Sequence, residues 1–434
     1  MSKPEGGRRF GLSHLVMDVR PLRIAAYRRL WSSSVVTQFG SQLTIVAVPK
    51  QLYDITGTSA YVGLSGLVAL VPLAVFGLWG GAVADVVDRR RLLLATNSGI
   101  AVTSALLCLQ AATGARSVWL ILALLGLQQA CFGMNQTTRG AVIVRLVPPS
   151  ELPAANALNT TMVQLGAIIG PLLAGALLPF VGLAPLYLID SVGLTVMLYA
   201  VWRLPPLPPT AGAPTRAGLR NLVDGFRYIS ARSVLLLSFL ADLIAMIVGM
   251  PRALFPEMAQ HTFGDPAGGG LALGVLYAAI PIGAFTGTLF SGLFTRVRRY
   301  GVMVVLAIVA WGLAMAAFGL TNALWVAAIF LGAGGVADVV SAIFRRAILQ
   351  TGASDEMQGR SMGVFTVVVA GGPRMADLVH GTVGAALGTR LTVTAGGLLV
   401  VVLMVALTAL APAFWRYRGP GPEDTAVVAQ ADTS

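Results

Sequence analysis

Residues 60–91 read AYVGLSGLVALVPLAVFGLWGGAVADVVDRRR, an apolar run that ends in a cluster of arginines. No charged side chain occurs between residues 60 and 84. A helix rises about 1.5 Å per residue, so a run of this length crosses the roughly 30 Å hydrocarbon core of a bilayer. The stretch therefore predicts a membrane helix followed by a basic loop.

The rest of the chain repeats this pattern. Of the 434 residues, 56% are hydrophobic and 11% are charged, whereas soluble domains carry roughly 25% charged residues. We predict an all-α integral membrane protein with twelve transmembrane helices. The predicted spans lie near residues 30–52, 60–84, 92–113, 117–138, 156–180, 184–202, 233–254, 270–295, 301–320, 322–344, 361–386 and 391–413.

The basic residues predict the orientation of these spans. With both termini in the cytoplasm, all but five of the 30 Lys and Arg residues fall in cytoplasmic segments, which follows the positive-inside rule. Because the basic residues are scattered among apolar spans, the net charge of +12 does not indicate nucleic-acid binding. Nothing before Leu30 resembles a signal peptide. The five exceptions are Lys50, Arg116, Arg252, Arg374 and Arg390.

The spans divide into two halves. We expect a cytoplasmic segment at residues 1–29, a six-helix bundle at 30–202, a central cytoplasmic loop at 203–232, a second six-helix bundle at 233–413 and a tail at 414–434. The loop holds a proline-rich run and, at Asn221–Tyr228, a candidate amphipathic helix on the membrane surface. Arg139 after span 4 and Arg345 after span 10 begin similar segments, which indicates a duplicated six-helix unit.

Several motifs carry a family resemblance. They are Gly81-Ala-Val-Ala-Asp85-Val-Val-Asp88-Arg89-Arg90-Arg91, Val46-Ala-Val-Pro49, Gly249-Met-Pro251-Arg252, Ala337-Asp338-Val-Val-Ser341 and Gly371-Gly-Pro373-Arg374-Met-Ala-Asp377. On these motifs the chain resembles the major facilitator superfamily, and within it the subfamily of the bacterial enterobactin exporter and related drug-efflux carriers, over about residues 25–412. Val86, Asp88 and Lys50 depart from the usual pattern. The resemblance implies a transporter of the cell membrane that works by alternating access.

The first motif predicts a conformational latch between the halves. Gly81 permits a close backbone approach, and Asp85 can accept hydrogen bonds from a facing helix N-terminus or pair with Arg139. The resemblance implies that Asp85, like the corresponding aspartate of the family, belongs to this latch in one conformational state. Arg89 and Arg90 either take part in it or only anchor the loop at the anionic leaflet.

Span 5 carries Gly166, Gly170, Pro171 and Gly175, which resemble the antiporter motif of export carriers. Small residues four apart let helices approach closely, and a proline bends the helix. Ordinary membrane-helix packing explains the same spacing. The motif therefore favours export only weakly over simple packing.

Ionisable residues inside the spans are the candidates for proton coupling, since a charge in the hydrocarbon costs about 2.5–3.5 kcal/mol on insertion scales. We hypothesise that Asp242 and Asp377 carry protons, that Arg374 holds the deprotonated acid, and that His380 adds sensitivity near neutral pH. Asp338 lies deep in span 10. The alternative is a permanent ion-pair network that locks spans 7, 10 and 11 together.

The remaining polar residues are candidates for the substrate cavity: Gln38, Gln42, Gln164, Lys50 and Arg252. Lys50 either attracts an acidic substrate or reaches the outer surface and pairs with Asp54, and the second interpretation is favoured. Helix–helix hydrogen bonding is the favoured role for each glutamine. Arg252 leaves the same two interpretations open as Lys50.

No catalytic, metal-binding or ATP-binding motif occurs in the sequence, and Cys108 and Cys131 both lie in apolar runs. We therefore expect a non-enzymatic, cofactor-free monomer whose partners are a small-molecule substrate, protons as the coupling ion, and membrane lipids. Export of a siderophore or drug-like molecule is favoured. An importer on the same fold and a non-transporting membrane sensor are the alternatives.

Overall fold

The computed structural model describes residues 18–208, 219–294, 297–352 and 354–419, and all regular structure in these ranges is helical. Short 3₁₀ turns occupy Arg20–Arg23, Pro149–Glu151 and Ser291–Phe294. The expected cytoplasmic residues 1–17, 209–218 and 420–434 lie outside the described parts. The helices are α1 (Ala25–Thr56), α2 (Ser59–Val86), α3 (Arg89–Ala112), α4 (Val118–Leu146), α5 (Leu152–Val181), α6 (Leu183–Trp202), α7 (Leu219–Ser230), α8 (Ser233–Leu243), α9 (Phe255–His261), α10 (Leu271–Leu289), α11 (Tyr300–Leu320), α12 (Leu324–Gly352), α13 (Asp355–Leu387), α14 (Thr389–Leu410) and α15 (Pro412–Trp415).

The long helices pack in two groups. In the first helix group, α1 to α6, helix α1 packs on α5 and α6, α2 packs on α4, and α3 packs on α4 and α6. In the second helix group, α8 to α14, helix α12 packs on α10 and α11, and α11 also packs on α14. The groups meet where α2 lies against α13 and where α5 lies against α10.

Eleven helical segments of the described chain are long and apolar enough to cross a membrane. Helix α1 is not among them, although its 32 residues exceed the length that a bilayer requires. The reason is that its middle, from Ser32 to Thr44, is rich in serine, threonine and glutamine. Several of these polar groups bond within the helix; Ser34 Oγ, for example, donates to the carbonyl of Leu30 at 2.6 Å.

The predicted seventh span is a broken helix. Helix α8 passes into a π-helical turn at Ile244–Val248, the chain leaves helical geometry at Met250 and Pro251, and a 3₁₀ turn at Arg252–Leu254 leads into α9. Pro251 removes a backbone donor at this point. The indole Nε1 of Trp311 donates to the carbonyl of Ala245 at 3.1 Å, so α11 compensates the interrupted ladder.

Two helices extend further than predicted. Helix α4 continues to Leu146 and α12 continues to Gly352, so Arg139, Arg145 and Arg345 lie within helices rather than in loops. The assignment of Arg345 to a cytoplasmic loop is wrong, because its side chain is only 3% exposed. The amphipathic helix expected at Asn221–Tyr228 is present as α7, which packs on α13 through an ion pair between Arg360 and Asp224 at 3.4 Å.

The two ends of the helix assembly differ in charge. We call the end that carries Arg89, Arg90, Arg145, Arg299 and Arg346 the arginine-rich end, and the other the opposite end. Helix α2 begins at the opposite end and α13 ends there. Consequently the described chain both enters α1 and leaves α14 at the arginine-rich end.

Candidate functional site

Glycines bring the two helix groups into direct backbone contact toward the opposite end. A β-carbon at Gly63 would lie 2.6 Å from the carbonyl oxygen of Asp377, and one at Gly66 would lie 2.6 Å from that of Arg374. In return, a β-carbon at Gly381 would lie 2.6 Å from Cα of Gly63. These distances leave no room for a side chain. The first half of α2 therefore lies directly on α13.

The second contact between the groups uses the predicted packing motif of α5. A β-carbon at Gly175 would lie 2.8 Å from Cα of Gly274 in α10. Gly166 and Gly170 instead face α1, where they accommodate the side chains of Gln38 and Gln42. The motif therefore has two functions: its first half seats α1 within the first group, and its last glycine joins the groups.

Lys50 closes the opposite end. Its ammonium group pairs with Asp54 and donates a hydrogen bond to the carbonyl oxygen of Ala267, which lies in the segment between α9 and α10. The expected pair with Asp54 is present, but Lys50 does not reach the surface, since it is 2% exposed. Nearby, Ser59 Oγ donates to Glu257. Lys50 of α1 and Ser59 of α2 thus hold the second group at this end.

An ion-pair cluster lies inside the second helix group. The guanidinium of Arg345 on α12 pairs with the carboxylate of Asp242 on α8, and both side chains are at most 3% exposed. Nη2 of Arg345 also lies 3.9 Å from an oxygen of Asp338, which is 27% exposed. Two acids therefore share one arginine. The sequence does not indicate Arg345 as a member of this ion-pair cluster, because an arginine at the end of an apolar run is typical of a loop anchor.

Arg374 spans the two groups. Its Nη1 donates to the carbonyl of Ala370 at 2.8 Å, and its Nη2 donates to Oε1 of Gln129, on α4 of the first group, at 3.2 Å. Asp377, one turn later, faces Gly66. One oxygen of its carboxylate is buried without a hydrogen-bond partner. Asp377 and Asp242 therefore belong to separate clusters.

His380 does not share a contact surface with Arg374 and Asp377. Its Nδ1 lies 3.0 Å from the carbonyl oxygen of Ala376, and a β-carbon on Gly396 of α14 would lie 3.4 Å from its Nε2. The spacing of three and six residues spreads the three side chains over an arc of about 120°, so His380 turns toward α14 while the other two face α2 and α4.

At the arginine-rich end, the described contacts of the predicted latch residues Arg90 and Arg139 lie within the first group. A β-carbon at Gly81 would meet nothing within 4 Å, so the expected close approach is absent there and occurs instead at Gly80, beside Met134. The side chain of Asp85 lies outside the described parts. Arg90 donates to the carbonyl of Trp202, and Arg139 Nη2 donates to Asn159 Oδ1 at 3.3 Å.

Arg89 and Asp88 connect this end within the first group. The backbone N–H of Arg89 donates to the carbonyl of Leu207 at 3.1 Å, and its Nε donates to Ala84 at 3.4 Å. Asp88 caps α3 through the N–H of Arg91 at 3.0 Å and accepts from the N–H of Leu207 at 2.9 Å. Asp88, which departs from the family pattern, therefore fixes the segment after α6.

The remaining cavity candidates are half-buried. Gln164 and Arg252 both lie at this intermediate exposure, and the guanidinium of Arg252 lies 5.8 Å from the ring centre of Tyr277. A groove of about 670 Å³ between α5, α10 and α12 is lined almost wholly by apolar side chains. Its rim residues Trp325 and Ile329 are 64% and 68% exposed, which is typical of a lipid-facing surface.

Asp190 is a buried acid that the sequence analysis missed. It lies in the middle of α6 and is 1% exposed. Thr44 and Ser104 donate hydrogen bonds to its Oδ2 at 2.9 and 2.8 Å. The signal was available, since an ionisable residue within a membrane span is a functional candidate by default.

Comparisons with known proteins agree with this architecture. Residues 17–415 match the family described as transmembrane secretion effector. The enterobactin exporter EntS of Shigella boydii serotype 18 is 30% identical over 405 residues, which cover 92% of this chain and 95% of that protein. EntS of Citrobacter koseri is 30% identical over 401 residues, covering 92% and 94%.

Solved structures share the fold. A bacterial homologue of the human lysosomal transporter Spinster, in an inward-facing and occupied conformation, superposes with a TM-score of 0.71 at 16% identity, covering 93% of this chain and 100% of that one. The human organic anion transporter MFSD10 gives 0.61 at 16% identity, covering 90% and 100%. At this level of identity the likeness concerns the fold alone.

Proposed function

Because this chain belongs to the transmembrane secretion effector family of the major facilitator superfamily, we propose that it exports a small amphipathic molecule, a siderophore or a drug-like compound, by proton-driven alternating access. The protein is a multi-pass transporter of the inner membrane. The EntS relatives, which cover most of the chain, support a siderophore as the first substrate to test.

The proposed topology has twelve membrane helices, with α1 as the twelfth. Eleven segments qualify by length and composition, and α1 lies among α2, α5 and α6 with its polar residues turned inward. A polar helix is tolerated in a membrane when neighbouring helices cover its polar side. The positive-inside rule then places the arginine-rich end, and both termini, in the cytoplasm.

Residues 30–202 and 233–413 act in this proposal as two bundles that rock against each other. The observation that carries it is the one-sided closure between the helix groups. Gly63 and Gly66 meet α13, and Lys50 reaches Ala267, all toward the opposite end, whereas Gly81 at the arginine-rich end faces open space. This arrangement fits a state that is open to the cytoplasm and closed to the outside.

The latch forms, we infer, in the alternative state. Gly81 and Asp85 lie on the part of α2 that moves toward the second group when the cytoplasmic side closes. Arg89 and Arg90 hold the loop in shape through carbonyl groups of the first group, while Arg139 is within the same region of α4. The open space at Gly81 supports this assignment, because a close approach needs such a gap to close.

The substrate site lies between the groups near mid-membrane. Arg374 is placed there by its hydrogen bond to Gln129 of the first group, and Gln38, Gln42 and Gln164 of that group are half-buried. A half-buried guanidinium favours an acidic or hydrogen-bonding substrate group. Lys50 is withdrawn from substrate binding in this state, since Asp54 and Ala267 occupy its ammonium group.

Proton coupling is assigned to the buried acids of the second group. Asp242 and Asp338 share Arg345, so a proton on either acid changes the charge balance around that arginine. Asp377 lies beside Arg374 with one unpartnered oxygen, and a proton there would weaken its attraction for the guanidinium. The ionised carboxylate of Asp377 and an acidic substrate group would thus compete for Arg374.

The test is complementation followed by transport in everted vesicles. We expect the chain to restore enterobactin secretion to an Escherichia coli strain that lacks its own enterobactin exporter. Everted vesicles should accumulate enterobactin when a pH gradient is imposed, and Asp377→Asn should abolish this accumulation. Asp224→Asn, on α7 outside the membrane spans, is the matched control that should behave as wild type.

Three outcomes would contradict the proposal. Accumulation in right-side-out vesicles instead would indicate an importer. Drug resistance without siderophore secretion would replace the substrate class. Normal pH-driven accumulation in both Asp242→Asn and Asp377→Asn, at normal expression, would remove the assignment of the coupling acids.

A further inference from the structure

Asp190 occupies a tight position inside the first helix group. A β-carbon at Gly40 of α1 would lie 2.7 Å from Cα of Asp190 and 2.9 Å from its Oδ1. The two helix backbones therefore touch at this level, and the carboxyl group is enclosed by protein. Lipid does not reach it, because Asp190 is 1% exposed.

The two oxygens of Asp190 have different surroundings. Oδ2 accepts hydrogen bonds from Thr44 Oγ1 at 2.9 Å and Ser104 Oγ at 2.8 Å, and Ser104 Oγ in turn accepts from Gln128 Nε2 at 2.8 Å. Oδ1 is buried and has no hydrogen-bond partner. All the donors therefore converge on one oxygen and leave the other bare.

No charged group compensates Asp190 within the described chain. The only side chains that act on it are Ser104 and Thr44. An ionised carboxylate without a cation in a low-dielectric interior is so costly that such groups neutralise instead. The ionisable residues on the helices packed around it engage other partners or lie at other levels: Tyr27, Arg28, Arg29, Lys50, Tyr53 and Asp54 on α1, Arg89, Arg90, Arg91 and Cys108 on α3, Cys131, Arg139 and Arg145 on α4, and Tyr187 and Tyr199 on α6.

We propose that Asp190 is a proton-binding site of the first helix group and a second station for the coupling proton. The proton adds to Oδ1 and forms an O–H bond, while Oδ2 becomes the carbonyl oxygen and keeps its bonds to Thr44 and Ser104. Loss of the proton returns the carboxylate.

A series of buried polar groups leads to this site from both sides. Toward the opposite end, Gln51 Oε1 accepts from Gln110 at 2.9 Å and from Tyr187 at 2.8 Å. Oε1 of Gln110 is itself buried without a hydrogen-bond partner. An ordered water would bind at this atom.

Toward the arginine-rich end, Asn135 Nδ2 donates to Thr96 Oγ1 at 2.9 Å. Along α3, Gln110 and Thr96 stand six and eight residues from Ser104, or about 9 and 12 Å at the helical rise. A proton path to Asp190 within the first group would therefore need a few water molecules in each of these two gaps.

Infrared spectroscopy of the purified full-length protein tests the site directly. We expect a C=O stretching band of a protonated carboxyl group at neutral pH that is absent in Asp190→Asn and unchanged in the control Asp224→Asn. Ser104→Ala, which removes one hydrogen bond to the carbonyl oxygen, should move this band to higher wavenumber. Ser104→Ala also decides the matter if Asp190→Asn fails to fold. Absence of the band, or no shift in Ser104→Ala, overturns the proposal.

The coupling role rests on the proposed function and is tested separately with enterobactin in everted vesicles. Asp190→Asn should keep efflux down an enterobactin gradient and lose the several-fold acceleration by a pH gradient. If Asp190→Asn is accelerated as wild type is, Asp190 is a permanently neutral strut and the coupling role is refuted. If the wild type itself shows no acceleration, the proton drive of the proposed function fails, and the infrared band alone decides whether Asp190 binds a proton.

Discussion

The ion pair between Asp242 and Arg345 predicts that removing the arginine destabilises the protein more than removing the charge of Asp242. Arg345→Met leaves Asp242 and Asp338 as two buried acids without a cation, so we expect a loss of about 3–5 kcal/mol in unfolding free energy, the range for breaking a buried pair. Asp242→Asn leaves Arg345 with Asp338, whose oxygen lies 3.9 Å from Nη2. The arginine can move to this second acid. We therefore expect a smaller loss of about 1.5–3 kcal/mol, as for one hydrogen bond to a charged group.

The measurement is unfolding of the purified protein from mixed micelles by sodium dodecyl sulfate, followed by far-ultraviolet circular dichroism. Arg346→Met is the matched control, because Arg346 is the next residue, is exposed, and lies 5.6 Å from the ring of Phe365. Its removal should cost under about 1 kcal/mol.

The double variant carries the sharpest test. If the two residues interact, Asp242→Asn and Arg345→Met together should cost clearly less than the sum of the two single losses. Equal losses in the two single variants would mean that Asp338 cannot replace Asp242. Full additivity in the double variant would refute the ion pair as a stabilising contact.

Three further changes test the contacts at the two ends. Gly66→Val adds a side chain at a position where even a β-carbon would lie 2.6 Å from the carbonyl oxygen of Arg374. The opposite end therefore cannot close, and enterobactin secretion should be lost at normal expression. Lys50→Met removes the hydrogen bond to the carbonyl oxygen of Ala267, which stabilises the closed opposite end by about 1.5–3 kcal/mol. Because this end then opens more often, a cysteine placed at residue 267 should react roughly tenfold faster with an impermeant maleimide than when Lys50 is present. Asp88→Ala removes the cap of α3 and should cost about 1 kcal/mol in the same detergent unfolding assay, whereas an unchanged stability would show that the cap is dispensable.

The sequence predicts the membrane helices well because burial in lipid depends on local composition. Eleven segments match predicted spans closely. The exception is α1, whose polar residues are tolerated because neighbouring helices cover them. What composition cannot show is a partner on another helix. Arg345 ends an apolar run and resembles a loop anchor, but α12 continues past it because Asp242 on α8 supplies the compensating charge. Gly81 fits a packing motif, yet the backbone it would meet is absent in this conformation.

The two helix groups treat a buried acid in opposite ways, and the difference follows from their arginines. Arg139 and Arg345 occupy corresponding places in the predicted duplicated unit, but Arg345 pairs with Asp242, whereas Arg139 donates to Asn159 and leaves Asp190 without a cation. An acid beside an arginine is stabilised in its charged form, and an isolated buried acid is stabilised in its neutral form. One group therefore favours release of a proton and the other favours its retention. A proton gradient can act on such a pair only if motion of the helices changes what surrounds one of the two acids. The Asp242–Arg345 contact joins α8 to α12 beside the π-helical turn at Ile244–Val248, so a change of helical geometry at this turn would change what surrounds Asp242.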